Sequence, residues 1–452
     1  MNKIIDFNYP KELLTVIKKI ESLGFKAYLV GGALRDILLD KIPKDYDIAT
    51  DATPDIIIKN FNKVIETGLK HGTVTIVIDK FDFEVTTFRE DGEYQDFRRP
   101  KEISFSKDIE TDLERRDFTI NAFAYNPINN RFIDLFNGLD DLTNSYIRAI
   151  GVAEKRFLED ALRMMRAIRF AVVLNFEIDK KTFDAIKKLS ENIQYISVER
   201  VRIEFEKILL SDYPKRGIDL LKDSGLLKYI LPELEKTVGV TQNKYHIYDV
   251  YTHILVALQN SEKDLIVRLS VLFHDIAKPD VREVINDKVT FYNHEIVGVE
   301  VTNNVLRRLK YSNNIIEQVT HLVRNHMFHY QPIWKDTTIK RFIKRVKPEY
   351  LDKLLKIREA DVSASNLEYE DDTYKELFVR VKQILEDDTN IFTIKELDID
   401  GNDIIKKLKI RPSKKIGEIL NYLLEYVIEN PNDNKKEILL KEIEKYVYSN
   451  RK

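Results

Sequence analysis

"YLVGGALRDILLDKIPKDYDIAT", residues 28–50, combines glycine and charge in one short stretch. An apolar run ends at Gly31 and Gly32, and glycines before a helix expose backbone N–H groups that can bind a phosphate. Asp45 and Asp47 are two residues apart, so on a strand their side chains point to one face. Neighbouring carboxylates repel each other unless a cation lies between them, and Mg²⁺ prefers such ligands together with substrate phosphates. The stretch therefore predicts a magnesium and phosphate site.

The composition limits the class of protein. The 452 residues are enough for about two to four domains. There is no cysteine, which excludes disulfides and thiol catalysis and fits a cytoplasmic protein. The net charge is -2, so a nucleic-acid partner must bind to local basic patches. No apolar run approaches about 18 residues, and we expect no membrane span.

The hydrophobic pattern divides the chain into a small α/β head and a long helical remainder. Segments rich in β-branched and aromatic residues predict strands at 26–30, 72–79 and 81–89. After the turn-rich residues 126–144, most segments have helical periodicity. We predict an α+β protein with a mixed sheet in a head, followed by an all-α neck, a larger helical domain and a helical tail. The predicted boundaries are 1–127, 128–212, 213–365 and 366–452.

Three later motifs add charged residues to the predicted site. "FEVTTFR" places Glu84 on a strand as a third carboxylate, and "RRDFTINAFAYNP" starts with two arginines and an aspartate. In "EDALRMMRAIRFA", Asp160 and Arg163 are three residues apart and would share one face of a continuous helix. By itself this pair also fits an ordinary ion pair on a helix surface.

The same pair suits the edge of a particular set of bases. A carboxylate accepts a hydrogen bond from the exocyclic amino group of C or A, and an arginine donates to the neighbouring ring nitrogen or carbonyl. U and G present a carbonyl instead of the amino group. Because a polar site rejects a partner that leaves its buried groups unpaired, the pair would select C and A together.

In this order and spacing, the motifs resemble the class II tRNA nucleotidyltransferase family, which includes bacterial CCA-adding enzymes and bacterial poly(A) polymerases. The resemblance implies a polymerase-β-like head with five strands. It also implies transfer of CMP, CMP and AMP from CTP and ATP to the 3' end of tRNA, with contacts to its acceptor and T arms and release of pyrophosphate. We predict no obligate protein partner.

The resemblance implies a role for each matching residue. Asp45 and Asp47 would bind two Mg²⁺ ions, with Glu84 as the third catalytic carboxylate. The nucleotide would be bound by the glycine turn and by charged residues of the later motifs. These are Gly31, Gly32, Arg35, Arg116, Asp117, Asp160, Arg163, Arg166 and Arg169, of which the last two could also bind the primer.

Two alternatives of the same class remain open. An enzyme that adds only the terminal A is one, and a bacterial poly(A) polymerase is the other. In the family, a flexible loop between the first two motifs is needed for adding A. The loop at 89–114, which carries Arg98 and Arg99, disfavours an enzyme that adds only C.

Histidines predict a second site. Seven of the eight lie between His246 and His329. Their order resembles the HD superfamily of metal-dependent phosphohydrolases and the HD domain fused to many CCA-adding enzymes. It implies ligands for a transition metal or Mg²⁺, namely His253, His274, Asp275, His294, His326 and Asp361. One alternative belongs to a different class: an HD phosphohydrolase that uses the head only for regulation. A further possibility is that the HD domain serves only as a scaffold that holds tRNA.

A basic turn near the C-terminus predicts contacts with RNA. Arg411, Lys414 and Lys415 lie just before or at the start of a helical pattern, where a backbone phosphate can bind. The segment resembles the C-terminal part of CCA-adding enzymes with an HD domain. The same residues would also fit a solvated helix terminus that makes no contact with RNA.

Overall fold

The computed structural model describes residues 9–91, 94–95, 99–100, 103–243, 246–365 and 372–449. The chain forms two compact units, Met1–Glu235 and Lys236–Lys452. The first contains a mixed sheet with helices and the second is mainly helical, so the predicted α+β class is confirmed. Among the described residues, no helix has both the length and the apolar composition needed to cross a bilayer. Arg98 lies outside the described residues.

A seven-stranded mixed sheet forms the centre of the first unit, in the order β11-β10-β1-β2-β5-β4-β3. β2 runs parallel to β5, whereas the other described pairings of this sheet are antiparallel. The strands of the unit are β1 (Ala27–Val30), β2 (Tyr46–Thr50), β3 (Val64–Gly68), β4 (Thr73–Ile78), β5 (Phe81–Thr87), β6 (Arg89–Asp91), β7 (Tyr94–Gln95), β8 (Arg99–Pro100), β9 (Ile103–Phe105), β10 (Phe123–Asn126), β11 (Arg131–Asp134), β12 (Tyr146–Ile147) and β13 (Glu177–Ile178).

The expected number of five strands is wrong. The hairpin of β10 and β11 pairs with β1 and widens the sheet at that edge. β11 lies beyond residue 127, where the sequence places the end of the head, and the division into four domains stays a prediction. The predicted strands at 26–30, 72–79 and 81–89 are confirmed as β1, β4 and β5.

Helices cover the sheet and form the rest of the first unit. α1 shows the typical pattern of a half-buried helix, because Leu13, Val16, Ile17 and Ile20 are buried at helical spacing. The helices are α1 (Lys11–Ser22), α2 (Gly32–Leu38), α3 (Pro54–Asn60), α4 (Ile109–Glu114), α5 (Gly138–Thr143), α6 (Ala153–Glu159), α7 (Leu162–Leu174), α8 (Lys180–Leu189), α9 (Val198–Leu209), α10 (Pro214–Asp223), α11 (Leu227–Ile230) and α12 (Pro232–Glu235).

The predicted continuous helix over "EDALRMMRAIRF" is wrong. α6 ends at Glu159 and α7 begins at Leu162, and Asp160 between them has extended backbone angles, φ -145 and ψ 104. The Asp160 carboxylate accepts a hydrogen bond from the Leu162 N–H over 3.1 Å. Such local bonds of Asp side chains compete with the helical hydrogen bonds, which explains the break.

The second unit confirms the prediction of a mainly helical remainder, with one short hairpin. Side-chain caps fix several helix starts; for example, Asp249 accepts from the Thr252 N–H and Asp264 from the Val267 N–H. The elements are α13 (Val250–Asn260), α14 (Leu265–Phe273), β14 (Glu283–Ile285), β15 (Lys288–Thr290), α15 (His294–Arg308), α16 (Asn313–Asn325), α17 (Asp336–Val346), α18 (Leu351–Ser363), α19 (Thr373–Leu385), α20 (Gly401–Leu408), α21 (Lys414–Glu429) and α22 (Lys436–Ser449).

Candidate nucleotidyl-transfer site and candidate metal centre

Parallel pairing of β2 and β5 brings carboxylates together in the head. Asp47 is the direct neighbour of Glu84 across the two strands, and Asp45 precedes β2. Burial and the negative charge of Glu84 raise the pKa of Asp47 to about 6, Asp45 adds to this, and Arg116 opposes it. A carboxylate that is this hard to ionise marks a place where a cation would be strongly favoured.

The glycine turn lies against this group. Gly31 has φ +73, a conformation that residues with a side chain rarely adopt, and α2 starts directly after it. A Cβ at Gly31 would lie 3.1 Å from Arg116 Nη1 and 3.3 Å from Asp47 Oδ2. The structure therefore places Gly31, Asp47 and Arg116 in one cluster.

A buried polar chain connects α2 with α7. Arg35 donates to Asn121 Oδ1 over 2.8 Å, and Asn121 donates to Asp117 Oδ1 over 3.1 Å. Arg166 Nε donates to Asp117 Oδ2 over 2.7 Å. Although burial alone would raise it, Arg166 and Asn121 hold the pKa of Asp117 at about 2, so this aspartate is ionised at neutral pH.

Asp112 belongs to the site, although the sequence motifs did not indicate it. Its carboxylate is 1% exposed and accepts from Arg115 over 2.6 Å and from Arg116 over 3.0 Å. Burial alone would raise its pKa, but the two arginines hold it below the ordinary value. The signal was present: a carboxylate three and four residues before two arginines on a helical turn.

The two residues predicted to select the base lie next to the helix break. Asp160 is bound by Arg200, with Nη2 and Oδ2 2.7 Å apart. Arg163 donates to Glu159 Oε2 over 2.7 Å and to the Arg115 carbonyl oxygen over 2.8 Å. The Arg163 N–H donates to the Asp160 carbonyl oxygen over 3.0 Å, so the two residues are joined through the turn between two helices, and their pairing at one base edge stays a prediction.

Three guanidinium groups surround one aromatic ring. Arg35, Arg166 and Arg169 lie 5.2, 5.5 and 3.8 Å from the centre of the Phe170 ring. Arg169 also pairs with Glu204 on α9, with 2.6 Å between Nε and Oε2. Glu204 was not indicated by the sequence motifs. Burial lowers the pKa of Arg169 to about 10, so its charge is kept at neutral pH.

All six residues predicted as ligands of the histidine site meet inside the second unit. They form two groups of three residues, and within each group the candidate ligand atoms all lie within 4.8 Å of one another. His253, His274 and Asp361 form one group, and Asp275, His294 and His326 form the other. His294 Nε2 lies 3.3 Å from both His326 Nε2 and Asp275 Oδ1, which connects the ligands of the second group.

The four imidazoles are oriented in the same way. Each Nδ1 lies within hydrogen-bonding distance of a backbone carbonyl oxygen, which favours a proton on Nδ1 and leaves Nε2 for the centre. The pairs are His253 with Ala364 at 3.2 Å, His274 with Val271 at 2.6 Å, His294 with Phe291 at 2.8 Å and His326 with Val323 at 2.7 Å.

Two imidazoles of the histidine site have pKa values shifted in opposite directions. The carboxylates of Asp275 and Asp361 raise the pKa of His274 to about 10 despite its burial. Burial together with His274 and His294 lowers the pKa of His326 to about 3. Lys278 Nζ is 2.6 Å from Asp275 Oδ2. Although burial alone would raise them, the neighbouring imidazoles, and Lys278 at Asp275, hold the pKa values of the buried Asp275 and Asp361 carboxylates well below their usual range. Such ionised, buried carboxylates fit a centre that would bind a metal cation.

The predicted basic turn of the tail is exposed. Arg411, Lys414 and Lys415 are all exposed, and α21 begins at Lys414, whereas the sequence indicated a basic connection that ends at Gly417. They belong to the second unit.

Three family models match parts of this chain. Residues 27–148 match the family model "Poly A polymerase head domain". Residues 175–237 match "Probable RNA and SrmB- binding site of polymerase A", and residues 290–443 match the model for tRNA nucleotidyltransferase domain 2. These matches define the class of protein: a nucleotidyltransferase.

Full-length relatives give the family within that class. The CCA-adding enzyme of Streptococcus agalactiae serotype V is 33% identical over 97% of both chains, and that of Ligilactobacillus salivarius is 35% identical over 96% of both. The structure of the Bacillus stearothermophilus CCA-adding enzyme in complex with CTP has a TM-score of 0.74, with 28% identity over 97% of this chain and 98% of that one. The chain belongs to the CCA-adding enzyme family, and this membership implies dependence on a divalent metal ion.

We expect Asp117→Asn to destabilise the first unit by roughly 2 kcal/mol at pH 7, because the depressed pKa of Asp117 measures its favourable interactions. The folded pKa lies below the unfolded one. This contribution is therefore complete above about pH 4 and is lost as the pH falls towards 2. Thermal unfolding of both proteins between pH 5 and pH 3 should show a difference that narrows with acid. The exposed Asp140 provides the control Asp140→Asn, and a pH-independent difference for Asp117→Asn would contradict the assignment.

Proposed function

We propose that this chain adds CMP, CMP and AMP, taken from CTP and ATP, to the 3' end of tRNA. The observation that carries the proposal is the cluster of Asp45, Asp47 and Glu84 beside the Gly31 turn, where the pKa of Asp47 is raised to about 6. The match to a tRNA nucleotidyltransferase model and the likeness to a CCA-adding enzyme in complex with CTP support the substrates. These substrates favour a cytoplasmic location.

The carboxylate cluster fits Mg²⁺. Asp45 and Asp47 would hold two ions, with Glu84 beside them, since oxygen ligands and substrate phosphates are what Mg²⁺ prefers. Bound divalent ions would lower the pKa of the primer 3'-hydroxyl and neutralise charge on the departing pyrophosphate. The raised pKa of Asp47 supports this assignment, because burial and the charges of the neighbouring carboxylates disfavour its ionised form without a cation.

The chain's own residues would bind and orient the nucleotide. The N–H groups after Gly31 and the guanidinium groups of Arg35 and Arg116 suit a triphosphate, because they combine a helix start with charged donors. Asp117 accepts hydrogen bonds on both oxygens and holds Arg166 in place. Its remaining lone pairs could accept from a ribose hydroxyl, and Arg166 and Arg169 would face the nucleotide or the primer.

Single-nucleotide analysis of tRNA extension tests this function. With Mg²⁺, we expect tRNA lacking its CCA end to grow by two residues with CTP and by three with CTP and ATP. Growth of only a CC-ended tRNA, by one A, would identify an A-adding enzyme, and a long A ladder would identify a poly(A) polymerase. Folded protein that extends neither substrate would exclude the proposal.

The same assay tests the carboxylates. Asp45→Asn and Asp47→Asn should each reduce incorporation by at least about 10²-fold, since an electrostatic contribution made in the transition state is lost. Asp55→Asn, on an exposed position of α3, is the matched control and should retain wild-type rates. Near-normal incorporation by both site variants would remove the two-metal assignment.

We also propose that the second unit binds metal through its two groups of ligands, with a transition metal or Mg²⁺ as the ion. Inward Nε2 atoms on four buried imidazoles support this. Phosphohydrolase activity is the second candidate function, because Lys278 and the metal ligands together suit a phosphate ester. A scaffold that holds tRNA would use the same fold without turnover.

Metal content and calorimetry test the metal centre, and a hydrolysis assay tests whether it turns over a phosphate ester. We expect Mn²⁺ or Ni²⁺ to bind to purified protein and His274→Ala to lower the affinity at least about tenfold, as the loss of a ligand should. His71→Ala, in the first unit, is the matched control. Hydrolysis of bis-p-nitrophenyl phosphate would support turnover. Metal binding that does not depend on His274 would contradict the centre.

We propose that Arg411, Lys414 and Lys415 bind the phosphate backbone of tRNA. Their exposure before and in the first turn of α21 supports this. Replacing all three by Ala should weaken tRNA binding and reduce its salt dependence, measured by filter binding from 50 to about 200 mM salt. The charge-preserving set Arg411→Lys, Lys414→Arg and Lys415→Arg should bind as the wild type does. Equal binding by all three proteins would contradict this contact.

A further inference from the structure

A cavity of about 600 Å³ lies in the head, next to the strands that carry the carboxylates. Tyr46, the first residue of β2, and Phe81, the first residue of β5, belong to its wall, together with the start of α1 and the segment after α2. Neighbouring residues of a strand point to opposite faces of a sheet, so Tyr46 faces away from Asp45 and Asp47. The cavity is therefore separate from the cluster proposed to bind Mg²⁺.

Three aromatic rings make one side of this cavity rigid. Phe83 is fully buried, and its ring centre lies 6.2 Å from that of Tyr46 and 6.1 Å from that of Phe81. Tyr46 and Phe81 also meet edge to face, with 6.5 Å between their ring centres. Burial raises the pKa of Tyr46, so its hydroxyl keeps its proton and can donate a hydrogen bond. The partly exposed Phe81 thus offers a fixed aromatic surface to a flat ligand.

The cavity is also lined by three lysines without a carboxylate partner, and we call it the lysine cavity. Lys41, Lys44 and Lys80 are exposed, and across the described ranges no carboxylate oxygen lies within 4.0 Å of their Nζ atoms. Glu12 and Asp40 are the acidic residues of the lining, so its formal charge is positive. Because no internal carboxylate pairs with these ammonium groups, the lysine cavity favours an anionic ligand.

An anion with a flat aromatic part fits this lining. Ammonium groups bind phosphate oxygens, and aromatic side chains stack on bases. Lys80 Nζ lies 5.4 Å from the centre of the Phe81 ring, so charge and aromatic surface meet at one place. The carboxylates of Glu12 and Asp40 can accept hydrogen bonds from the amino groups of a base. The volume of about 600 Å³ is within the usual range for a site that holds a small molecule.

From this lining we infer that the lysine cavity is an auxiliary nucleotide site, separate from the place of the reacting nucleotide. The base would lie against Tyr46 and Phe81, and the phosphates would contact the lysines. The nucleotide would be free CTP or ATP, or an unpaired nucleotide of the bound RNA. Since Lys44 and Tyr46 are the direct neighbours of Asp45 in the chain, an occupied cavity would also restrain the segment that carries this carboxylate. The inference goes beyond the proposed function, because it concerns binding and not turnover.

Calorimetry counts the nucleotides that the full chain binds. The probe is a CTP analogue with a methylene group between the α- and β-phosphorus atoms, which prevents transfer. With Mg²⁺, we expect the wild type to bind two equivalents if the ligand is free nucleotide. Lys41→Glu with Lys80→Glu should weaken the second binding event at least about tenfold, because charged contacts to phosphate are lost. Lys59→Glu with Lys63→Glu makes the same charge change at exposed positions elsewhere in the first unit and is the matched control.

Filter binding tests the RNA as the source of the nucleotide. If RNA fills the lysine cavity, every protein binds one equivalent of the analogue. A tRNA ending in CC should then bind to the lysine variant at least about tenfold more weakly than to its control. Phe81→Leu keeps the wall apolar but removes the stacking surface. It should weaken whichever binding event the lysine variant weakens, by roughly tenfold.

Two results would overturn the inference. One is a single nucleotide equivalent together with equal tRNA affinity in the lysine variant and its control. The other is a loss in the lysine variant but not in Phe81→Leu, which would show a phosphate contact without a bound base. If circular dichroism shows that the lysine variant does not fold, Lys41→Gln with Lys80→Gln takes its place. Extension of tRNA by the wild type reports on the proposed function separately, so an active wild type with unchanged binding in both variants overturns only this inference.

Discussion

The parallel pairing of β2 with β5 is the constraint on which the first unit depends. It places Asp47 beside Glu84. On the other side of β2, β1 leads into the Gly31 turn, which lies at the same end of the sheet. Burial and mutual repulsion then make the group costly to keep ionised, as the raised pKa of Asp47 shows. Arg116 reduces this cost only in part. The backbone geometry thus creates an electrostatic demand that a divalent cation can meet, and the surrounding arginines suit the anion that such a cation would bring.

Much of this arrangement could be predicted from local sequence. Asp45 and Asp47 can be predicted as a carboxylate pair and the glycines as a turn before a helix, because these features depend on spacing within a few residues. The six residues of the histidine site span 108 positions, and their grouping can be predicted only because their order resembles the HD superfamily. The number of strands could not be predicted in the same way. β11 pairs with β10 through a hairpin whose residues look like an ordinary turn-rich boundary, and only the pairing shows that they extend the sheet.

The region predicted to select the base shows where such predictions end. Helical periodicity through "EDALRMMRAIRF" indicated one helix, but a side-chain bond from Asp160 to the Leu162 N–H competes with it. Arg200 and Glu204 are distant in sequence, and nothing in the spacing of α9 relates them to Asp160 or Arg169. Asp112 is different, because its two arginine partners are only three and four residues away, and only its burial could not be predicted from local spacing. Long-range pairing of charges is therefore what sequence patterns miss in this site.

Each arginine near the nucleotide site already has a carboxylate within the protein. The pairs are Arg35 with Asp36, Arg116 with Asp112, Arg163 with Glu159, Arg166 with Asp117, Arg169 with Glu204 and Arg200 with Asp160. An incoming triphosphate would compete with Asp36 for Arg35 and with Asp112 for Arg116 instead of filling an open positive field, which would moderate its affinity. When pyrophosphate leaves, the same carboxylates are ready to take back their partners. Such exchange suits a protein that must load and empty one site three times in succession on a single RNA end, without a long dwell at any step.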